Sequence, residues 1–363
     1  MRSILHVISG LRTGGAETML VSLCRSLTAR GLPQRVVALS DGPNAAILRG
    51  LGVPVRILDP RGPLKAGLAV LALARLIGSL RPALVQGWLY HGDLLATIAH
   101  RLAGKPRATK LAWGLRNSDL DDARYGRLLA IGRHLSGWPD VVISNSRAGL
   151  DFHRARGYRP RRAAVIPNGI DTVRFRPDPS ARESVRTDLL LPSDTIVAIH
   201  AARVDPMKDH AGLIAAAAQV PEIAFLLVGA GTERLNLPAN ARALGRRDDI
   251  ARLYTAADIV VSSSAFGEGF SNALAEGMAA GLVPVATRVG DAGAILDGLG
   301  RMVEPSHPDV LAAALREVAG WEPEHRRDEG RAARARIESA FGPQVMADRF
   351  LEVWRGAGAD WTA

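Results

Sequence analysis

The chain contains a single cysteine, Cys24. One thiol excludes a disulfide framework and fits a reducing compartment. Set in the apolar stretch Met19 to Leu27, it reads as a small buried hydrophobe. No window holds about 18 uninterrupted apolar residues, the length a spanning helix needs. The opening run Ile4-Leu5-His6-Val7-Ile8 is too short for the core of a signal peptide, so a cytoplasmic protein is expected. Also missing are the Gly-x-Gly-x-x-Gly fingerprint of dinucleotide enzymes and the Gly-Lys-Ser/Thr of a P-loop, which speaks against a dinucleotide oxidoreductase. Aromatic residues make up 5% of the chain; they offer no evident stacking platform, and no nucleic acid partner is expected.

What is present is an alternation. Apolar strand-like runs, such as Ser3–Ser9, Gln34–Ser40, Ala83–Trp88 and Val141–Ser146, are separated by helical patterns such as Ala16–Arg30, Leu64–Leu80 and Asp93–Leu102. Continuous apolar strands between helices indicate parallel sheets covered on both faces. After a polar, proline-containing stretch from Asp171 to Asp194 the pattern restarts with Thr195–Ala201, Ile223–Val228, Asp258–Ser263 and Val283–Thr287. The expected fold class is α/β: two Rossmann-like doubly wound domains in tandem, over residues 1–171 and 172–342. The final segment, 343–363, has a helical pattern; it either completes the second domain or crosses back to pack on the first.

Charge is divided unevenly. Met1 to Asp171 carries 25 Lys and Arg against 10 Asp and Glu, and the remainder 21 against 26. A basic first half beside a mildly acidic second half points to an anionic partner or to an arginine-rich solvated surface. The run Arg154, Arg156, Arg159, Arg161 and Arg162, with Lys105, Arg107 and Lys110, is read in the same two ways: a solvated face, or a surface for anionic lipid head groups.

Three segments carry chemistry. Gly10-Leu11-Arg12-Thr13-Gly14-Gly15-Ala16-Glu17 follows the first strand and opens a helix, where glycines let the backbone approach an anion. Arg203 and Lys208 follow the first strand of the second domain and precede a helix. Two cations there suit a diphosphate, bidentate from Arg and as a point charge from Lys. The third segment, Phe266-Gly267-Glu268-Gly269-Phe270-Ser271-Asn272-Ala273-Leu274-Ala275-Glu276, places Glu268 before a helix start and Glu276 eight residues on, within it. Carboxylates accept hydrogen bonds from sugar hydroxyls, and the N–H groups of a helix start can hold sugar or phosphate oxygens.

On these residues the chain resembles family 4 of the retaining glycosyltransferases, with the GT-B fold. Gly14-Gly15-Ala16-Glu17, Val165-Ile166-Pro167-Asn168-Gly169-Ile170-Asp171, Arg203 with Lys208, and Glu268 through Glu276 match in order, and Leu227 to Gly231 and Leu253 to Asp258 also look like family segments. The resemblance implies a nucleoside-diphosphate sugar donor, commonly UDP-linked, in a groove between the domains. It implies that Arg203 and Lys208 hold the diphosphate, Glu268 faces the anomeric centre and Glu276 binds the ribose. By the same resemblance Gly14 and Gly15 approach the phosphates, the backbone near Phe270, Ser271 and Asn272 meets sugar or phosphate oxygens, and Arg246 lies near the base. Many members carry a histidine after the fifth strand of the first domain. Here that region reads Ala112-Trp113-Gly114-Leu115-Arg116-Asn117-Ser118, so Arg116 or Asn117 is expected in its place on the acceptor side; His91, at the carboxyl end of another strand, is read either as a further catalytic candidate or as a surface or helix-capping residue.

No metal or other cofactor is expected, because Arg203 and Lys208 supply positive charge; Asp119-Leu120-Asp121 spells Asp-x-Asp but reads better as a helix start. The expected acceptor is a saccharide or lipid-linked glycan of polysaccharide biosynthesis, with peripheral contact to an anionic inner membrane surface. Two other readings are a sugar-nucleotide 2-epimerase on the same scaffold and a non-catalytic nucleotide-sugar-binding subunit.

Overall fold

A computed structural model describes residues 2–12, 14–60, 62–106, 108–116 and 122–361. The chain divides into two compact units, Met1–Gly169 with Pro343–Ala363, and Ile170–Gly342.

Unit 1 begins β1 (Ile4–Ile8), α1 (Gly15–Thr28), β2 (Gln34–Ala38), α2 (Pro43–Gly50), β3 (Val55–Ile57) and α3 (Pro63–Leu80). It continues β4 (Leu84–Trp88), α4 (Leu89–Leu102), β5 (Lys110–Leu115), α5 (Asp122–Leu135), β6 (Val141–Ser144), α6 (Arg147–Ala155) and β7 (Ala163–Val165). The seven strands form one sheet in the order β3-β2-β1-β4-β5-β6-β7. Its pairings are parallel, with Ile4 opposite both Gln34 and Leu84. All five residues of β1 are buried, as a strand covered on both faces requires.

Unit 2 begins α7 (Pro179–Asp188), β8 (Ile196–Ala201), a short 3-10 turn (Pro206–Lys208), α8 (His210–Ala217), β9 (Ile223–Val228), β10 (Ala241–Gly245), α9 (Ile250–Ala256) and β11 (Ile259–Ser262). It ends α10 (Asn272–Ala279), β12 (Val283–Thr287), α11 (Ala292–Leu296), β13 (Arg301–Val303), α12 (Pro308–Ala319) and α13 (Pro323–Phe341). The sheet order is β10-β9-β8-β11-β12-β13, again parallel. In each unit the winding direction reverses at one place: between β1 and β4, and between β8 and β11. Ligands of open α/β sheets bind beyond the carboxyl ends of the strands at such a switch point.

Local sequence explains where the helices start. Asp178 caps α7 by accepting from the Ala181 N–H at 2.9 Å, with Pro179 in the first turn; Ser146 does the same for α6 through Gly149. Arg186 of α7, 5% exposed, donates to the carbonyls of Pro192, Ser193, Thr195 and Ala256 and pairs with Asp258, so a buried guanidinium is fully hydrogen-bonded.

Two features differ from or decide between the sequence expectations. Helix α4 starts at Leu89, directly after β4, rather than at Asp93. Gly92 permits this: a Cβ there would lie 2.5 Å from the Val7 carbonyl oxygen, so the glycine that looks like a turn residue is a close-packing residue inside the helix. The last helix, α14 (Pro343–Gly356), packs in unit 1. Its Met346, Ala347, Phe350, Leu351 and Trp354 join the core with α1 and β1. The Trp354 indole N–H donates to Gln86 Oε1 at 2.9 Å, so even its polar atom is satisfied inside the core.

Candidate active site

In unit 2 the two strands that flank the switch point each deliver a charged loop. After β8, the turn from Ala202 to Lys208 is set by Gly229. A Cβ at Gly229 would stand 2.0 Å from the Ala202 carbonyl oxygen, and Ala202 and Val204 donate to the carbonyls of Val228 and Ala230. Arg203 emerges from this turn with its side chain 68% exposed, held from one side by Asp205 Oδ2, at 2.8 Å from Nη2 and 3.2 Å from Nε. After β11, the loop carrying Glu268 is braced by Gly290, where a Cβ would lie 2.2 Å from the Glu268 carbonyl oxygen at φ +60°.

Lys208 Nζ and Glu268 Oε2 form an ion pair, with side chains 22% and 12% exposed. Two of the expected site residues are therefore in contact across the switch point, and Arg203 lies on the same turn as Lys208. Two residues that the sequence reading missed hold the pair in place. Ser264 Oγ donates to Glu268 Oε2 at 2.8 Å, while Ser263 Oγ donates to the Lys208 carbonyl at 2.8 Å. Both serines are buried, and Thr287 Oγ1 donates to the Ser264 carbonyl at 2.6 Å. The only sequence signal for them is a pair of hydroxyls at the carboxyl end of a buried strand, where apolar residues are the rule. Ser264→Ala removes one donor to the carboxylate without touching the cations. We expect turnover to fall about tenfold, the cost of one hydrogen bond to a charged group, with donor affinity unchanged. A donor affinity that falls in step with turnover would mean that the serine only supports the fold.

Glu276 lies on α10, one element further in. Burial pushes its carboxyl up to about 7, and the Arg174 guanidinium pulls it back down. Arg174 is a third residue missed from the sequence; it stands three positions after Asp171, just past the segment that carries the resemblance. Tyr254, buried next to α10, donates its hydroxyl to the Ala273 carbonyl at 3.0 Å. Ser271 is the N-cap of α10 but its side chain makes no capping bond. Asn272 opens the helix, whose first-turn N–H groups have no acceptor within the helix. Phe270 is 6% exposed and its ring packs on Phe341 at 5.3 Å, so its side chain belongs to the core and only its backbone faces the loop. Arg246 is exposed, directly after β10.

In unit 1, Gly14 is the extended N-cap of α1 and Gly15 its first residue, at the carboxyl end of β1. A Cβ at Gly14 would lie 2.3 Å from Glu17 Oε2, because the Glu17 side chain folds back over the turn. His91 is exposed in the first turn of α4, beyond β4. Arg116, beyond β5, turns inward. Its guanidinium carbon lies 4.6 Å from the Trp88 ring and 5.7 Å from the Phe350 ring, and Nη1 donates to Asn168 Oδ1 at 3.2 Å. Burial lowers its pKa to about 10, against the pull of Asp93, whose own carboxyl burial pushes up to about 8. Asn117 and Asp119-Leu120-Asp121 lie outside the described residues. Among the described residues no three His, Cys, Asp or Glu side chains are grouped to hold a metal ion.

The family model described as "Glycosyltransferase Family 4" matches residues 13–174, and the one described as "Glycosyl transferases group 1" matches residues 195–320. A D-inositol 3-phosphate glycosyltransferase of Saccharomonospora viridis is 30% identical over 304 residues, which is 75% of this chain and 68% of that one. The chain belongs to glycosyltransferase family 4. A protein of the same name from Segniliparus rotundus is 30% identical over 298 residues, 75% of this chain; the chain spans 63% of that relative's length. Among solved structures, the Anabaena protein Alr3699/HepE in complex with UDP and glucose has a TM-score of 0.83 at 23% identity, covering 98% of this chain and 100% of that one. That likeness shows the fold of this glycosyltransferase: two Rossmann-like parallel-sheet units, the GT-B architecture.

Proposed function

We propose that this glycosyltransferase transfers a hexosyl group, with retention at the anomeric carbon, from a UDP-linked sugar to a saccharide or lipid-linked glycan. The observation that carries the reading is the Lys208–Glu268 ion pair at the switch point of unit 2, with Arg203 exposed on the same turn. The bond that breaks joins the anomeric carbon to a diphosphate oxygen. As it lengthens, negative charge gathers on the leaving diphosphate, where Arg203 and Lys208 stabilise it more in the transition state than in the ground state. The anomeric carbon gains positive character, which the Glu268 carboxylate favours. The acceptor hydroxyl attacks from the leaving-group face, and its proton passes to the departing phosphate oxygen. Glu276 accepts from the ribose hydroxyls, Arg246 lies by the base, and the α10 start meets the remaining oxygens. Gly14 and Gly15 are assigned to the donor phosphates, His91 to catalysis, and Arg116 and Asn117 to the acceptor. The two cations take the charge that a metal ion would otherwise balance, so we propose a metal-independent reaction.

UDP is supported by its presence in the Anabaena complexes. The matched relatives are named as glycosyltransferases, which favours transfer over a 2-epimerase or a non-catalytic binding subunit. We further propose a cytoplasmic location with peripheral contact to an anionic membrane, supported by the basic balance of the first half and the absence, among the described residues, of any helix long and apolar enough to cross a membrane.

Thermal-shift screening of nucleoside diphosphates and their sugars tests the donor assignment. A ligand at about 100 times its dissociation constant stabilises by roughly 2.7 kcal/mol, and UDP with one or more UDP-sugars is expected to raise the Tm by several degrees. If no nucleoside diphosphate moves the transition at millimolar concentration, the reading fails.

A further inference from the structure

Helix α3 is apolar on two sides, and the sheet covers only one. Inward, Leu73, Ala74 and Ile77 are buried against Leu5, Val7 and Val85. Outward, Leu64, Leu68 and Leu71 are 79%, 55% and 44% exposed. Spacings of four and three residues put these leucines on one stripe. Packing of α3 does not call for them, since the outward positions of a surface helix are ordinarily polar. A cluster of exposed aliphatic side chains marks a contact surface. The neighbouring helix α4 adds Ile98 and Leu102, and at its end Arg101 lies over the exposed ring of Trp138.

Charge narrows the partner. From residue 60 to residue 118 the sequence has nine Lys and Arg and a single acid, Asp93, and Asp93 is 1% exposed. Lys65, Arg75, Arg81 and Lys105 are exposed along the same stretch. Helices α3 and α4 thus present leucines and cations and, among the described residues, no exposed acid. The outward side of α3 has no Asn, Gln or Tyr either, so it lacks the directional donors and acceptors that a specific protein interface uses. An apolar stripe flanked by long-stemmed cations needs no such pattern to lie at a head-group boundary. The run at 154–162 is a weaker candidate. Arg154 pairs with Asp151, Arg162 donates to the Gly356 carbonyl, and among the described residues no large hydrophobic side chain is exposed there.

We propose that the outward face of α3 and α4 is where the protein lies on an anionic lipid bilayer. The leucines of α3 enter the boundary between head groups and acyl chains, and Lys65, Arg75, Arg101 and Lys105 meet the lipid phosphates. Helix α3 leaves the carboxyl edge of the sheet, the edge that also carries the Gly14–Gly15 turn and Arg116, so Leu64 brings the bilayer to the side where a lipid-linked acceptor would be used. This inference rests on the membrane contact proposed above and not on the donor chemistry of unit 2.

Co-sedimentation of the full chain with vesicles of phosphatidylcholine alone, or with about 30% phosphatidylglycerol, tests it. Binding is expected to the mixed vesicles only and to weaken with salt. The triple substitution Leu64→Ser, Leu68→Ser, Leu71→Ser is expected to lower the partition coefficient by about tenfold or more. Lys65→Glu with Arg75→Glu is expected to do the same. All five positions are exposed, so the Tm and the donor-induced thermal shift should stay at wild-type values, which separates this test from the donor assignment. No preference for anionic vesicles overturns the proposal, as does binding that the leucine substitutions leave unchanged. A wild-type dimer that the same substitutions convert to monomer would also overturn it, making a second copy of the chain the occupant.

Discussion

Replacing Lys208 with alanine is expected to lower turnover by about 10²–10³, the size of one lost donor to a transition-state charge. The structure shows why the loss is of that order rather than a few-fold. Lys208 is paired with Glu268 across the switch point, in a position where both side chains are mostly shielded from water, and charge effects are stronger there than on an open surface. Without the ammonium group, Glu268 keeps, among the described residues, the Ser264 hydroxyl as its side-chain partner. It then faces an incoming diphosphate as an uncompensated anion, so donor affinity should fall along with turnover. The double variant Lys208→Ala, Glu268→Ala removes that repulsion and should bind donor better than Lys208→Ala alone, a non-additivity characteristic of residues in direct contact. Turnover is read as nucleoside-diphosphate release from the donor that thermal-shift screening selects. A Lys208→Ala protein with near-wild-type turnover would remove the cation from the mechanism.

Glu276 should make donor binding depend on pH near neutrality. Burial raises its carboxyl to about 7, and the ionised form is the one able to accept hydrogen bonds from two ribose hydroxyls. Donor affinity should therefore be full above pH 8 and about tenfold weaker at pH 6, one unit below that value. Stability runs the opposite way. A carboxyl that holds its proton more tightly in the folded chain than in the unfolded one contributes stability that is present below the unfolded value of 4.5 and lost as pH rises through about 7. Glu276→Gln is neutral at every pH. It should raise the Tm of the ligand-free protein by a few degrees at pH 8, abolish the pH dependence of donor binding below neutrality and weaken donor binding at pH 8. Calorimetric titration at pH 6, 7 and 8 checks this; a donor affinity that is flat over the range in wild type would separate Glu276 from the ribose.

Much of the fold is legible along the chain because each element depends on its own neighbours. Buried parallel strands need continuous apolar runs, and β1, β4, β8 and β11 all show them. The Arg203–Lys208 turn and the Glu268 loop follow such runs, so their place at strand ends can be read directly. Helix α4 shows where local reading fails. His91-Gly92 has the composition of a turn, yet Gly92 is inside the helix because β1 passes too close for a side chain. Phe270 shows a contact that local reading does not supply. It sits in the middle of the chemical motif, but its ring is drawn into the core by Phe341, 71 residues further along a chain whose numbering gives no hint of the contact. The acceptor side is the least legible, since no histidine stands where the resemblance would put one and Arg116 turns toward Trp88 and Phe350.

The sequence by itself determined the class of the fold, the tandem arrangement and the identity of the charged groups, because apolar periodicity and the residue types beside strand ends are local properties. Only the tertiary structure decided that Lys208 pairs with Glu268, that Ser263 and Ser264 support them, that Glu276 sits where its proton is held near neutrality, and that α14 belongs to the core of unit 1. Those outcomes depend on which strands become neighbours and on how much water is excluded around a group, and both are set by packing between segments far apart in the chain.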